Sequence, residues 1–501
     1  MEIKDMSIID TNKRIVVFFF PFRVISGGPI FLSNLAIMLS KNSEYSVYYT
    51  EYNDGAAREI LHDTSVKIIE YHDEKPFELF VEEEIYLITP VYWGDRVPVL
   101  NRNSKVLFLN WHNLCIPSLK AGLRCDEELL MDMLALISET DSEFYCDKAH
   151  WEAQELYGIH FREIYVPITV PERRRIKSKE LIDPDEINIA VVGRLVIDKV
   201  YAITDLIDNI VEDFQFGCAV NIYVIGEGDS KNILADHIKP EYVKLVFCGT
   251  LSIEEINNLL SEKADILFAM GTSVLEGASA GLPSVVIPND VRPFHCNRYA
   301  YLFECNSFLL GWGPDQIDLF DIKTHTIKEI LDDIYIANRK EEIGKLCNDY
   351  YKKNHCNNYN FFLNALNGTR LTYEEYHRKI IYIMETIKEK YRNNIVRFLK
   401  KANNKNRKLV IWGAGKRGTE LVGFLKKMGV EIDFFVDRNA DKMKKVNNIR
   451  VKDPGVLNVQ KHVVMVSLAN YLIDIVSELE RRDFRKGIDY LYIYYQGEQQ
   501  Y

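Results

Sequence analysis

No apolar stretch in this 501-residue sequence comes near the roughly 18 residues that suggest a membrane-crossing helix; the longest runs are Ile15 to Phe20 and Tyr490 to Tyr495. The polar start from Met1 to Arg14 also lacks the apolar region of a secretory signal, so a cytoplasmic location is expected. Nine cysteines are an odd number and include no C-x-x-C pair, which argues against a disulfide framework and a zinc ribbon. His295, Cys296 and Cys305 lack metal-ligand spacing, and no metal site is expected. What is present is an ordinary globular composition, 47% hydrophobic and 27% charged. The length is one at which a single core gives way to two or three domains.

Excess positive charge is missing from most of the chain and concentrated at its end. Residues 391–501 carry 22 Lys and Arg against 12 Asp and Glu, a balance of +10, so the first 390 residues hold −21 of a net −11. An acidic body matches a phosphate backbone poorly, and no nucleic-acid partner is expected. The basic tail is either a solvated face or a contact for an anionic membrane surface, which would make the protein peripheral to the membrane.

The run Ile15 to Phe20 reads as a buried strand, Pro21 to Pro29 as a Pro/Gly-rich turn, and Phe31, Leu32, Leu35, Ala36, Met38 and Leu39 recur at helical spacing. Apolar runs at 47–49, 66–69, 85–88, 106–109 and 134–137 continue the alternation, the rhythm of a mostly parallel sheet under helices. This predicts a first domain over residues 1–170. Residues 171–186 are charged, proline-punctuated and aperiodic, as in a linker. A second cycle, with strands near 187–192, 220–225, 243–247, 266–269 and 284–287, predicts a second domain over 187–365. A helical connector is expected over 366–403 and a third cycle over 404–501. The expected fold class is α/β: two Rossmann-like domains facing across a cleft, plus a third small one.

Three strand-to-helix turns carry residues suited to an anionic ligand. Gly27 and Gly28, with Pro29 just inside the helix, form either a tight turn or a place where a ligand meets free backbone N–H groups. Gly193 ends a strand, and Arg194 and Lys199 follow it at the carboxyl edge of the sheet, as solvated charges or as a pair for a diphosphate. Gly271, Thr272 and Ser273 lead into a third helix, where the two hydroxyl residues can cap and their amides can receive phosphate. Glu276 stands three residues after Ser273, so it either closes an S-x-x-E capping box or faces the cleft as an acceptor for ribose hydroxyls.

Together F-P-F-R-V-I-S-G-G-P, V-V-G-R-L-V-I-D-K, V-I-G-E-G-D (with Gly226) and S-V-L-E-G-A-S-A-G-L-P-S-V-V-I, in this order between residues 15 and 300, resemble the retaining GT-B glycosyltransferases of family four. The resemblance implies a nucleotide-sugar donor, UDP- or GDP-linked, held by the second domain, and a glycan or lipid-linked acceptor held by the first, with no metal or other cofactor required. By position, Arg194 and Lys199 would take the diphosphate, Glu276 the ribose, and Gly28 a backbone contact near the donor. His112, in Asn110-Trp111-His112-Asn113 after a strand, resembles the family's histidine beside the reacting sugar. Surface-polysaccharide biosynthesis and retention of configuration are the implied setting. Two departures stand out. The family's E-x7-E is incomplete, because Phe268 occupies the position eight residues before Glu276, and Val200 follows Lys199 where the family favours glycine. Asp183-Pro184-Asp185, a D-x-D string, lies in the linker, not at a strand end.

The third cycle opens with an apolar strand into Gly413, Gly415 and Gly418, a G-x-G-x-x-G turn, and Asp437 stands 19 residues after Gly418, the spacing of an acid that binds a ribose. No Y-x-x-x-K accompanies it. It resembles small domains appended to sugar-modifying transferases, which leaves a structural role, assembly of a homo-oligomer, or binding of a nucleotide or dinucleotide. Two rivals to the transferase remain: a nucleotide-sugar 2-epimerase of similar architecture, and a non-catalytic nucleotide- or glycan-binding partner of a transferase complex.

Overall fold

The computed structural model describes residues 13–24, 26–73, 77–111, 115–146, 158–159, 162, 164–170, 186–213, 217–305, 309–356, 358–403, 407–467 and 472–492. His112 and the expected linker through Asp185, with its D-x-D string, lie outside the described residues. The chain forms two compact units, residues 1–72 with 78–376, and residues 73–77 with 377–501.

The first unit contains two six-stranded sheets. The first comprises β1 (Arg14–Phe19), β2 (Tyr45–Glu51), β3 (Lys67–Glu70), β4 (Ile85–Pro90), β5 (Lys105–Asn110) and β6 (Glu143–Tyr145), all parallel, in the order β3-β2-β1-β4-β5-β6. Helices cover both faces of such a sheet, so β1 is buried at every residue after Arg14 and its sequence is continuously apolar. The second sheet repeats the plan with β7 (Glu186–Val192), β8 (Ala219–Ile225), β9 (Val243–Gly249), β10 (Ile266–Ala269), β11 (Ser284–Val286) and the antiparallel edge strand β12 (Ala300–Tyr301), ordered β12-β11-β10-β7-β8-β9. In each sheet the order reverses at one point, between β1 and β4 and between β7 and β10. Open α/β sheets bind ligands at such points.

Among the helices, α1 (Gly27–Ser40), α2 (Ile197–Asp213) and α3 (Thr272–Ala280) follow β1, β7 and β10 and aim their N-termini at the carboxyl edges. After α4 (Lys340–Asn354) the chain returns to the first sheet. In α5 (Asn358–Gly368), Phe362 packs between Phe18 and Phe144, and the following strand-like turn donates and accepts at Val106, Ser142 and Ser104. The sequence reading placed residues up to 365 with the second domain and 366 onward in a connector. Helical periodicity marks which face of α5 is apolar but not which sheet it covers. Among the described residues no helix is long and apolar enough to cross a membrane.

In the second unit, β13 (Lys408–Trp412), β14 (Phe434–Val436), β15 (Lys445–Val446), β16 (Ile449–Lys452), β17 (His462–Val466) and β18 (Tyr490–Tyr492) are ordered β15-β16-β14-β13-β17-β18, with α7 (Lys416–Lys427) after β13. Ile395 and Phe398, from the helix α6 (Tyr373–Asn403), complete the core on one face of this sheet. The expected third Rossmann-like cycle is thus present, extended N-terminally by that helix.

One core residue breaks the apolar rule. Glu143 on β6 is buried beside Asn110 and Tyr145, and among the described residues no basic side chain pairs with it. Burial pushes its carboxyl up to about 8, so in the folded state it stays protonated at a pH where the unfolded chain has ionised it. Its cost to stability is therefore absent below about pH 4.5 and grows as pH rises toward 8, reaching on the order of a few kcal/mol. Glu143→Gln should melt close to the native protein at pH 5 and several degrees above it at pH 8; a gap that does not change with pH would refute the buried neutral acid.

Candidate nucleotide site at the second switch point

The turn after β7 is held by the turn after β8. Gly193 N–H donates to Ile225 O (3.0 Å), Leu195 N–H to Glu227 O (3.0 Å) and Ser230 N–H to Leu195 O (3.0 Å). Gly226 has φ +134°, and a Cβ there would stand 2.0 Å from Gly193 O; one at Gly228 would stand 2.5 Å from Leu195 O. The glycines of V-I-G-E-G-D, Gly226 among them, thus let two backbones touch. Their effect is to fix Arg194 at the edge of the sheet, exposed.

Lys199 lies in the first turn of α2 with its side chain 28% exposed and Nζ 3.5 Å from Asp198 Oδ2. Burial pushes its ammonium down, Asp198 opposes this, and the Arg194 charge adds to the depression. Gly193, Leu195, Lys199, Ala269, Met270 and Ile287 line a pocket between β7 and β10, at the point where the strand order reverses. Lys199 is the one charged residue of this otherwise apolar lining, and Arg194 stands exposed next to Gly193, near enough for its charge to act on the Lys199 ammonium.

On the other side of this pocket the β10–α3 turn contains only Met270 and Gly271. Gly271 has φ +61°, donates its N–H to Leu310 O (2.7 Å), and is the N-cap of α3, with no side chain capping it. Thr272 and Ser273 are therefore the first two helical residues, not caps, and the S-x-x-E capping box is excluded. Its cause is the positive φ of Gly271, which starts the helix before Ser273 is reached. Glu276 is left half-buried on the second turn, close to Tyr351. The amides of Thr272 and Ser273 belong to the orphan donors of the helix start.

The first sheet meets this edge through α1. A Cβ at Gly27 would lie 3.8 Å from Thr272 Oγ1, so the N-termini of α1 and α3 face one another. Neither has a side-chain cap or an acidic residue in its first turn. Gly28 is glycine because a Cβ there would collide with the Trp111 ring, at 2.5 Å. Trp111 in turn packs on Phe20 and Tyr92, with ring centroids 5.3 and 6.2 Å away. The loop between β1 and α1 is tied down by the Glu51 carboxylate, which accepts N–H bonds from Phe22, Tyr52 and Ala57 at 2.8–2.9 Å. Sequence reasoning passed over Glu51 and gave Trp111 no role; the clue available for Trp111 was the need for a side-chain-free residue opposite a large ring. This arrangement, two sheets with facing helix N-termini and a chain that returns to the first sheet, is that of a GT-B fold.

Solved structures align with about seven-tenths of the chain. Anabaena HepE in complex with UDP and glucose aligns at 12% identity over 71% of this chain and 99% of its own, with a TM-score of 0.47. WaaG, a glycosyltransferase involved in lipopolysaccharide biosynthesis, aligns at 12% over 70% and 98%, TM-score 0.41. The trehalose-6-phosphate synthase OtsA aligns at 10% over 71% and 99%, TM-score 0.44. A family model described as a C-methyltransferase C-terminal domain matches residues 370–488, less than a quarter of the chain and almost wholly in the second unit. No curated protein matches.

In that second unit Gly413 has φ +108°, and a Cβ at Gly418 would lie 1.9 Å from Gly413 O, so both glycines serve the turn and the helix packing. Gly415 faces open space. Asp437, expected near a ribose, accepts from Ala414 N–H (3.0 Å) and Asn439 N–H (2.9 Å), holding the turn itself. Gly418→Ala should therefore cost about 2 kcal/mol or more, and Gly415→Ala, at the open N-cap of α7, about 1 kcal/mol or less. Urea unfolding followed by circular dichroism distinguishes these; equal effects would contradict the close helix approach.

Proposed function

We propose that the protein is a glycosyltransferase that moves a sugar from a nucleoside-diphosphate sugar, UDP- or GDP-linked, to a glycan or lipid-linked acceptor in surface-polysaccharide biosynthesis. The observation that carries the reading is half-buried Lys199 lining the pocket between β7 and β10, with exposed Arg194 after Gly193 and the uncapped starts of α1 and α3 beside each other next to Met270. In this scheme Arg194, Lys199 and the amides at the starts of α1 and α3 take up the charge that develops on the departing diphosphate. Each charge-assisted bond contributes roughly 1.5–3 kcal/mol, more where the charge is larger in the transition state than in the ground state. Glu276, on the second turn of α3, accepts the ribose hydroxyls. The positive charge comes from protein groups, so the reaction is read as metal-independent.

His112, next to the Trp111 wall in sequence, is proposed to face the reacting sugar, and attack from the side of the leaving phosphate would retain configuration. The acceptor is assigned to the aromatic edge of the first sheet around Tyr92 and Trp111. A cytoplasmic enzyme whose basic C-terminal unit meets an anionic membrane would reach a lipid-linked acceptor. In the second unit Asp437 already satisfies the backbone, which favours a structural or homo-oligomer-forming module over a dinucleotide redox centre.

A thermal-shift screen against UDP-, GDP-, CMP- and dTDP-sugars, with NAD included, should single out one nucleotide sugar. Arg194→Glu should abolish that shift and lower transfer at least about a hundredfold. Native turnover by this variant would sink the assignment. Conversion of the donor to an isomer without acceptor would instead identify an epimerase, and binding with neither transfer nor hydrolysis a non-catalytic partner.

A further inference from the structure

The segments that carry the chain from the first sheet to the second and back touch each other. Tyr351 OH donates to Val170 O (2.7 Å), the His355 Nδ1 lies 2.8 Å from Ile168 O, and Asn358 Nδ2 donates to Thr169 Oγ1 (3.2 Å). The Tyr351 and His355 rings stack at 6.1 Å with an interplanar angle of 4°, and Tyr350 flanks the imidazole at 5.9 Å. Burial lowers His355 to about 4, so the ring is neutral near pH 7 and its Nδ1–H donates to the Ile168 carbonyl.

Tyr351 also reaches the candidate site. Helices α3 and α4 run antiparallel in a register fixed by two contacts. A Cβ at Gly344 would stand 2.2 Å from Gly281 O, and Asn348 Nδ2 donates to Ala278 O and Ser279 O, each at 2.9 Å. One turn further along α4, the same register brings Tyr351 level with Leu275 and Glu276; burial and the neighbouring Cys356 thiol act most on the Tyr351 hydroxyl, and the Glu276 charge adds a smaller push in the same direction. One phenol thus stands between the carboxylate assigned to the ribose and the carbonyl of the outgoing crossover.

We propose that Tyr351 is a positioning residue: held by Val170 O and set beside Glu276, it couples occupation of the nucleotide site to the geometry of the interdomain crossover. This rests on the reading of Glu276 as a donor contact. When ribose hydroxyls engage Glu276, the carboxylate is fixed and part of its charge is neutralised, and the bond that the phenol already makes to Val170 O, freed of that competing charge, tightens. The crossover is then tightened by the ligand, and by linkage a tightened crossover favours the ligand.

Hydrogen exchange with and without UDP or GDP tests this. In the native protein the nucleotide should slow exchange at 193–195 and 271–274, which line the site, and also about fivefold at 164–170 and 355–359, which do not. Tyr351→Phe keeps the ring and its stack on His355; it should retain the slowing at the site and lose it at the crossover. Thr169→Val, which cuts a crossover tie that does not lead to Glu276, should speed exchange there without ligand but keep the ligand-dependent slowing. Undiminished remote slowing in Tyr351→Phe, or site slowing in the native protein without any at the crossover, overturns the coupling. Absence of slowing at 193–195 and 271–274 overturns the donor-site reading itself, and the coupling with it.

Discussion

At the carboxyl edge of the second sheet the Gly193 carbonyl passes so close to Gly226 that no Cβ fits between them, and the geometry of the candidate site follows from that contact. Because the post-β8 turn lies directly on the post-β7 turn, the chain after Gly193 has one path, pinned again by Leu195 N–H and Leu195 O. That path delivers Arg194 to the surface and Lys199 to the first turn of α2. With any larger residue at 226 the two turns would separate, and the cations would lose their fixed spacing. Left-handed backbone is the energetic cost of this arrangement, which glycine meets at little strain.

The electrostatics of the edge are unbalanced in a consistent direction. Lys199 is half-buried and shares its surroundings with Arg194, and its nearest countercharge is only a neighbouring Asp198 at 3.5 Å. Helices α1 and α3 add roughly half an elementary charge each at their N-termini, and neither sequence places an acid in the first turn to offset it. Ordinary helix starts are capped because an uncapped start is costly. Two uncapped starts beside each other and near two cations leave this edge with excess positive charge. The same groups would stabilise a leaving diphosphate more strongly than a bound ester, because its charge is greater.

What the sequence made legible was whatever depends on local order. Ile15 to Phe20 could only be a strand buried on both faces, and a glycine followed by cations at a strand end is a local pattern with a local consequence. Long-range demands were harder to see. Gly28 is glycine on account of Trp111, 83 residues away, and α5 has an apolar face that either sheet could have accepted. Ser273 and Glu276 satisfy two grammars at once, a capping box and a helix interior, and the conformation of Gly271 decided between them. Glu143 stands on the edge strand β6, where a sequence alone would allow an exposed acid, and is buried in the fold beside Asn110 of β5 and Tyr145.

The first two sheets share one strand order and the third departs from it through the antiparallel β15–β16 pair, yet all three are mostly parallel, and this separates what the fold supplies from what the side chains do. Each has a point where strand order reverses, and in each a glycine-bearing turn follows the first strand. Between β1 and β4 the crevice is filled by Phe20, Tyr92, Trp93 and Trp111, an apolar wall suited to the face of a sugar ring and not to phosphate. Between β7 and β10 a mostly apolar pocket carries one cation, Lys199. Between β13 and β17, Ser467 Oγ donates to Trp412 O, and Asp437 takes the Ala414 N–H that a phosphate would need. A carboxylate already bound to that amide opposes an anion by occupancy and by charge alike. In the third domain the backbone of a Rossmann-like turn is thus held by its own carboxylate, and its likeness to a dinucleotide fold is one of architecture.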